Sequence, residues 1–120
     1  MKVLVTGHLG YIGSVLAPFV AAAGHDVTGL DVDFYSTCSF GNPPKVMPTI
    51  HRDIRDVDVS DFRGFDAVIH LAALSNDPLG DLNEAVTYDI NHQGTIHLAR
   101  TAKAAGVKRF VFASSCSNYG

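Results

Sequence analysis

Basic residues are scarce, nine against twelve acids, and they nowhere cluster; the net charge of −3 comes from interspersed signs. That leaves no electrostatic footprint for nucleic acid or an anionic membrane, and neither is expected as a partner. Cysteine is almost absent: Cys38 and Cys116 are the only two. They lack the Cys-x-x-Cys spacing of a metal or redox site and are expected to be free thiols rather than a disulfide. Long apolar runs are missing as well. The most hydrophobic stretch, Val15 to Gly24, falls well short of the ~20 residues a membrane span needs. The opening residues read as a buried strand, not a signal peptide, so the expected location is cytoplasmic. Neither an internal repeat nor a low-complexity segment occurs.

What is present fits one compact α/β unit. With 120 residues, 47% of them hydrophobic and 18% charged, the chain can bury about two thirds of its unfolded surface. Apolar runs at 2–6, 26–30, about 49–52, 67–72 and 109–114 alternate with helical patterns at 11–23, near 58–63 and at 82–105, the last closed by Gly106. Right-handed crossovers between such strands predict a Rossmann-type doubly wound parallel sheet of order 3-2-1-4-5. The fifth strand, 109–113, is expected to be buried. Pro18 falls inside the first helical pattern, so that helix either starts late or bends.

The first strand runs into Gly7, Gly10 and Gly13, and each glycine has its own task. Gly7 lets the chain reverse, Gly10 clears a side chain from where a pyrophosphate approaches the backbone, and Gly13 lets helix and strand pack closely. The unpaired amides and positive dipole of the helix beginning near Tyr11 and Ile12 suit the phosphates. Asp31 ends the second strand 18 residues past Gly13, about the offset of a carboxylate that binds the adenosine ribose. It repels a 2′-phosphate, and no Arg or Lys follows before Lys45, so NAD is favoured over NADP. Asp33 could share that role, and a turn cap is the plainer alternative for Asp31.

The Gly-x-x-Gly-x-x-Gly form TGHLGYIG resembles the extended short-chain dehydrogenase/reductase superfamily, in particular NAD-dependent nucleotide-sugar epimerases and dehydratases. Asp53-Ile54, the run HLAALS from His70 to Ser75, Asn91-His-Gln-Gly94-Thr95 and the terminal SSCSNYG extend that resemblance along the whole chain. It implies that the Asp53 carboxylate and Ile54 amide face the adenine edge, although Asp53, Asp56, Asp58 and Asp61 could equally form a solvated cluster around a short helix. It implies that Leu71, Ala72, Ala73, Ser75 and Ser114 neighbour the cofactor. Ser75 departs from the lysine that UDP-galactose 4-epimerases tend to carry nearby. Asn91 and Gly94 are both unfavourable within a helix, which suggests a reason for their presence; the resemblance implies that Asn91 stands near the nicotinamide and helps order the site, against a solvent-facing alternative. His70 reads as a packed strand histidine. His92 and His97 lie about 140° apart around a helix and do not form a ligand pair. No metal site is expected.

By the same resemblance Ser115, four before Tyr119, is the catalytic hydroxyl that orients a sugar hydroxyl, while a Tyr-x-x-x-Lys supplies the base. None of the four tyrosines here is followed by such a lysine. The chain therefore looks like the amino-terminal, NAD-binding part of an epimerase or dehydratase, inactive alone, with a nucleotide sugar as the small-molecule substrate. Cys116 and Ser117, where dehydratases tend to be acidic, favour an epimerase. A non-catalytic dinucleotide sensor and a reductase of the same superfamily remain alternatives. A sheet edge left open after the fifth strand is expected to cause marginal stability or self-association, a homodimer included.

Overall fold

The computed structural model describes residues 1–34, 47–75, 83–115 and 119. Cys38, Lys45, Cys116, Ser117 and most of the 32–48 loop lie outside the described residues. Five strands form one parallel sheet: β1 (Lys2–Thr6), β2 (Asp26–Asp31), β3 (Thr49–His51), β4 (Ala67–His70) and β5 (Arg109–Phe112). Their order is β3-β2-β1-β4-β5, the arrangement read from the sequence. The chain turns back at β1, which pairs with β2 through Lys2↔Asp26 to Thr6↔Leu30 and with β4 through Val3↔Ala67 to Thr6↔His70. This switch point opens a crevice at the carboxyl ends of β1 and β4, where sheets of this kind receive ligands.

Alternation along the strands divides the core between the two faces of the sheet. Val3, Val5, Val27 and Ala67 pack with Ala17 of helix α1 (Gly13–Ala22) on one face. Leu4, Leu30 and Val68 pack with Ile54, Val57, Phe62, Leu98 and Ala102 on the other, the last two from helix α3 (Thr95–Ala104). Between β3 and β4 the chain makes a single 3₁₀ turn, Val59–Phe62, closed by a reciprocal capping box of Asp58 and Asp61. Phe62, fully buried, is the side chain this turn delivers to the core.

Three expectations need correction. Helix α1 starts late, at Gly13, and runs through Pro18 to Ala22; the late start does not remove the proline from the helix. The single helix expected over 82–105 is three segments: a short helix α2 (Glu84–Tyr88), a widened π turn (Asp89–Gly94) and α3. The strand expected to be buried at 109–113 is exposed along all of β5. Among the described residues it pairs with β4 alone, and its apolar residues Phe110, Val111 and Phe112 remain 37–56% accessible.

Candidate functional site

The glycine loop leaves β1 at Gly7, whose φ of +72° only glycine adopts freely. A Cβ there would also lie 2.7 Å from the Ala72 amide nitrogen, so β1 and β4 meet backbone to backbone at the crevice. At Gly13 a Cβ would overlap the Gly7 carbonyl oxygen and approach His8 Cα to 2.6 Å; the start of α1 is pressed directly onto the loop. Gly10 is a lighter constraint, with a Cβ 3.3 Å from the Gly7 carbonyl. Helix α1 then presents a first turn with no capping side chain and no acidic residue. Tyr11 and Ile12 beside it are strongly exposed. That combination of a side-chain-free cradle and an uncapped helix end fits a dinucleotide pyrophosphate.

Asp31 stands against this loop. Its Oδ2 accepts the Leu9 N–H at 3.0 Å and its Oδ1 accepts the Asp33 N–H at 3.0 Å. The carboxylate thus does cap a turn, the plainer reading of its sequence position, and it also ties the glycine loop to the end of β2. Gly7 N–H reinforces the tie by donating to the Leu30 carbonyl at 2.9 Å.

Sequence reasoning missed His8. The ring is 4% exposed, lies over Gly29 so closely that a Cβ there would overlap it, and meets the Thr49 hydroxyl through Nε2 at 3.0 Å. Burial holds its pKa below 6.5 despite the neighbouring Asp31 carboxylate. Nothing in a Gly-x-x-Gly pattern marks its variable positions as structural, and only Gly29, an unusual residue within a strand, hinted at a bulky neighbour.

At the other side of the crevice His70 is a relay rather than a base. The Thr95 hydroxyl donates to the Asn91 carbonyl at 2.8 Å, so its oxygen accepts from His70 Nε2–H, also at 2.8 Å. His70 Nδ1 is then the acceptor for the Thr6 hydroxyl at 2.7 Å, and Thr6 Oγ1 in turn accepts the Leu71 and Ala72 amides at 3.3 Å each. Every proton in this chain has one direction. Phe110 and Phe112 close over the ring at 6.1 and 5.6 Å between centroids. Burial pushes the His70 pKa down to about 4, keeping the imidazole neutral.

Asn91 is not solvent-facing. Its side chain binds both backbone polar groups of Leu74, accepting from N–H and donating to C=O at 2.8 Å each. It projects from the π turn, the kind of widened turn that recurs at functional positions, and there it fixes the segment Leu71–Leu74 leaving β4. Leu71 and Ala72 pack toward opposite faces of the sheet, whereas Ala73 and Ser75 are exposed. At Gly94, in the same turn, a Cβ would press on the Ile54 side chain, 3.1 Å from its Cδ1.

The acidic cluster divides. Asp58 and Asp61 cap the 3₁₀ turn and hold Arg52. Asp53 instead binds the Arg55 guanidinium at 2.8 Å, and Arg55 reaches on to Asp89 at 2.9 Å. Hydrogen bonds from Arg55 hold the Asp53 pKa below its ordinary value. The Ile54 side chain is buried in the core. His92 stacks on Tyr88 at 4.6 Å, and His97 Nε2–H donates to the Val57 carbonyl at 2.8 Å, so the two histidines serve separate structural contacts. Ser114 and Ser115 follow Ala113, whose N–H donates to the His70 carbonyl at 3.1 Å. This places both serines beyond the carboxyl ends of β4 and β5. Among the described residues no helix is long and apolar enough to cross a membrane.

Residues 3–120 match the model of the NAD dependent epimerase/dehydratase family. The chain belongs to that family. Among its relatives, the UDP-glucose 4-epimerase of Streptomyces lividans is 38% identical over 99% of this chain and 37% of its own length. That of Klebsiella pneumoniae is 35% identical over 100% and 93%. The fold of a Stenotrophomonas UDP-glucose-4-epimerase, solved with NAD and a formylated UDP-arabinopyranose, superimposes with a TM-score of 0.84 at 32% identity, covering 100% of this chain and 38% of that one. A Thermus thermophilus UDP-glucose 4-epimerase in complex with NAD gives 0.79 at 32% identity, covering 96% and 38%. The chain thus spans little more than a third of the Streptomyces relative and of these solved epimerases. Family membership accounts for the parallel sheet, the glycine loop and the crevice at the switch point together.

Proposed function

We propose that this chain is the NAD-binding portion of a nucleotide-sugar epimerase or dehydratase. The observation that carries the reading is the glycine loop: a cradle that a Cβ at Gly7 or Gly13 would block, beside the Asp31 carboxylate. Gly7, Gly10, Tyr11, Ile12 and Gly13 receive the pyrophosphate, and Asp31 accepts from the ribose hydroxyls with the lone pairs its two amide bonds leave free. Asp53 and the Ile54 amide border the adenine. Leu71, Ala72, Ala73, Ser75, Asn91 and Ser114 line the path toward the nicotinamide.

Bound NAD supplies a hydride acceptor for transient oxidation of a sugar carbon. Within the chain, Ser115 orients the sugar hydroxyl through a hydrogen bond. A general base is not provided by a Tyr-x-x-x-Lys in this sequence, so the chain binds cofactor without turning substrate over. The UDP-glucose 4-epimerases among its relatives support a nucleotide sugar as the substrate class.

Titration of the chain with NADH and NADPH, alongside Asp31→Ala, tests the assignment. NADH is expected to bind more tightly than NADPH, with the preference lost in the variant. A folded chain that binds neither nucleotide would overturn the reading.

A further inference from the structure

We propose that Arg55 is a positioning residue for recognition of the adenine: it clamps the Asp53 carboxylate so that a single lone pair is left to meet the exocyclic amino group of the base. The inference rests on the NAD reading above and assigns a task to a side chain that neither the glycine loop nor the crevice uses.

The clamp is built within one turn. The Arg52 N–H donates to the Asp31 carbonyl at 3.1 Å, which carries the chain from β3 past the end of β2, and the Asp56 N–H donates to the Asp53 carbonyl at 3.0 Å, which reverses it. Inside this turn Arg55 folds back on Asp53. Its backbone N–H and its Nε–H donate to Asp53 Oδ1 at 2.9 and 3.1 Å, and its Nη2–H donates to Oδ2 at 2.8 Å. A guanidinium presents its donors in a rigid, planar fork, so the plane of the carboxylate is set with it. Nη1–H continues to Asp89 Oδ2 at 2.9 Å, and the arginine stem lies beside the π turn, its Cγ 3.4 Å from where a Cβ on Gly94 would stand. Exposed ion pairs add little stability; what this one holds is direction.

Each carboxylate oxygen offers two lone pairs. Both of those on Oδ1 are engaged by Arg55, and among the described residues Oδ2 has one engaged and one open. An open acceptor held in one plane suits the amino group of adenine and repels the carbonyl oxygen that hypoxanthine or guanine carries at the same place. Released from Arg55, the carboxylate would be free to turn toward water, or to take up a proton and donate it to such a carbonyl. The bonds from Arg55 hold the Asp53 pKa below its ordinary value, so the group stays an acceptor.

Affinities for NADH and for reduced nicotinamide hypoxanthine dinucleotide, both followed by nicotinamide fluorescence, separate the outcomes. The two nucleotides differ only at the exocyclic group of the purine and the ring nitrogen beside it, so a general loosening of the fold weakens both and leaves their ratio unchanged. The unaltered chain is expected to favour NADH, and Asp53→Ala to reduce that preference about tenfold, the effect of one hydrogen bond to a charged acceptor; the remainder belongs to the Ile54 amide. Arg55→Ala removes the fork, whereas Arg55→Lys keeps the charge without it. Each should reduce the preference about fivefold or more, and Arg55→Ala should add nothing further once Asp53 is already alanine. A full preference in either arginine variant would overturn the role of Arg55 while leaving Asp53 at the adenine. Equal affinities in the unaltered chain, or a preference undiminished in Asp53→Ala, would overturn the placement of Asp53 and the proposal with it, while leaving NAD binding intact. A folded chain that binds neither nucleotide would overturn the NAD reading itself.

Discussion

Asn91 grips Leu74 by both of its backbone polar groups, at 2.8 Å each. An Asn side chain reproduces the pairing of a strand here, so the segment after β4 is anchored to the π turn as though to a further strand. Asn91→Ala is expected to lower stability by about 1–3 kcal/mol, because two half-buried backbone groups lose their partners. Asn91→Asp should do no better, since a carboxylate oxygen would face the Leu74 carbonyl. Urea denaturation of both variants checks this; an Asp variant as stable as the parent would contradict the geometry.

Protonation of His70 provides a second expectation. Its pKa falls from 6.5 in the unfolded chain to about 4 in the fold, so below pH 6.5 the unfolded state takes up a proton the native state refuses. Stability is complete above that value and declines as pH falls toward 4, by up to about 3 kcal/mol for a shift of this size. His8, lowered for the same reason, adds to the decline. A urea midpoint that is flat or rising between those pH values would show that the ring is accessible to protons in the fold.

Glycine substitutions should rank by their surroundings. Gly7 and Gly24 both have positive φ, but a Cβ at Gly24 meets nothing within 4 Å, whereas one at Gly7 strikes the Ala72 backbone. Gly24→Ala should cost about 1 kcal/mol for conformation alone. Gly7→Ala should cost more and abolish cofactor binding. Equal thermal shifts for the two would mean the loop yields.

Arg55 joins Asp53 to Asp89 across the surface. With all three side chains partly exposed, Arg55→Ala should cost under about 1 kcal/mol. The difference from the parent should shrink at about 1 M salt. A larger, salt-independent loss would point to packing of the arginine stem rather than charge.

Strand order and the glycine loop were readable from the sequence because each depends on local pattern: period-two burial, a switch to helical spacing, and a residue type that only a positive φ or a close approach requires. Ion pairs and relays were not. Arg55 meets Asp89 across 34 positions, and Thr6 meets His70 across 64, so their partners emerge only from the sheet register. The buried reading of 109–113 failed because composition reports what a strand can pack against, not what covers it. For Asp31 the capping of a turn was legible from its place at the end of β2, whereas its bond to the Leu9 amide was not, because that contact depends on how the glycine loop folds back.

The π turn has a consequence for phase. A turn that closes one residue later than an α turn takes up about 100° of helical rotation. Residues on α2 and those on α3 therefore obey the same period with an offset of one position. Deleting one residue within Asp89–Gly94 would let the turn close as an α turn while Leu98, Thr101 and Ala102 stay turned toward the sheet. What the deletion would remove is the surplus residue that swings Asn91 out to Leu74. The helix is one residue longer than its own winding requires, and the crevice is where that extra length is used.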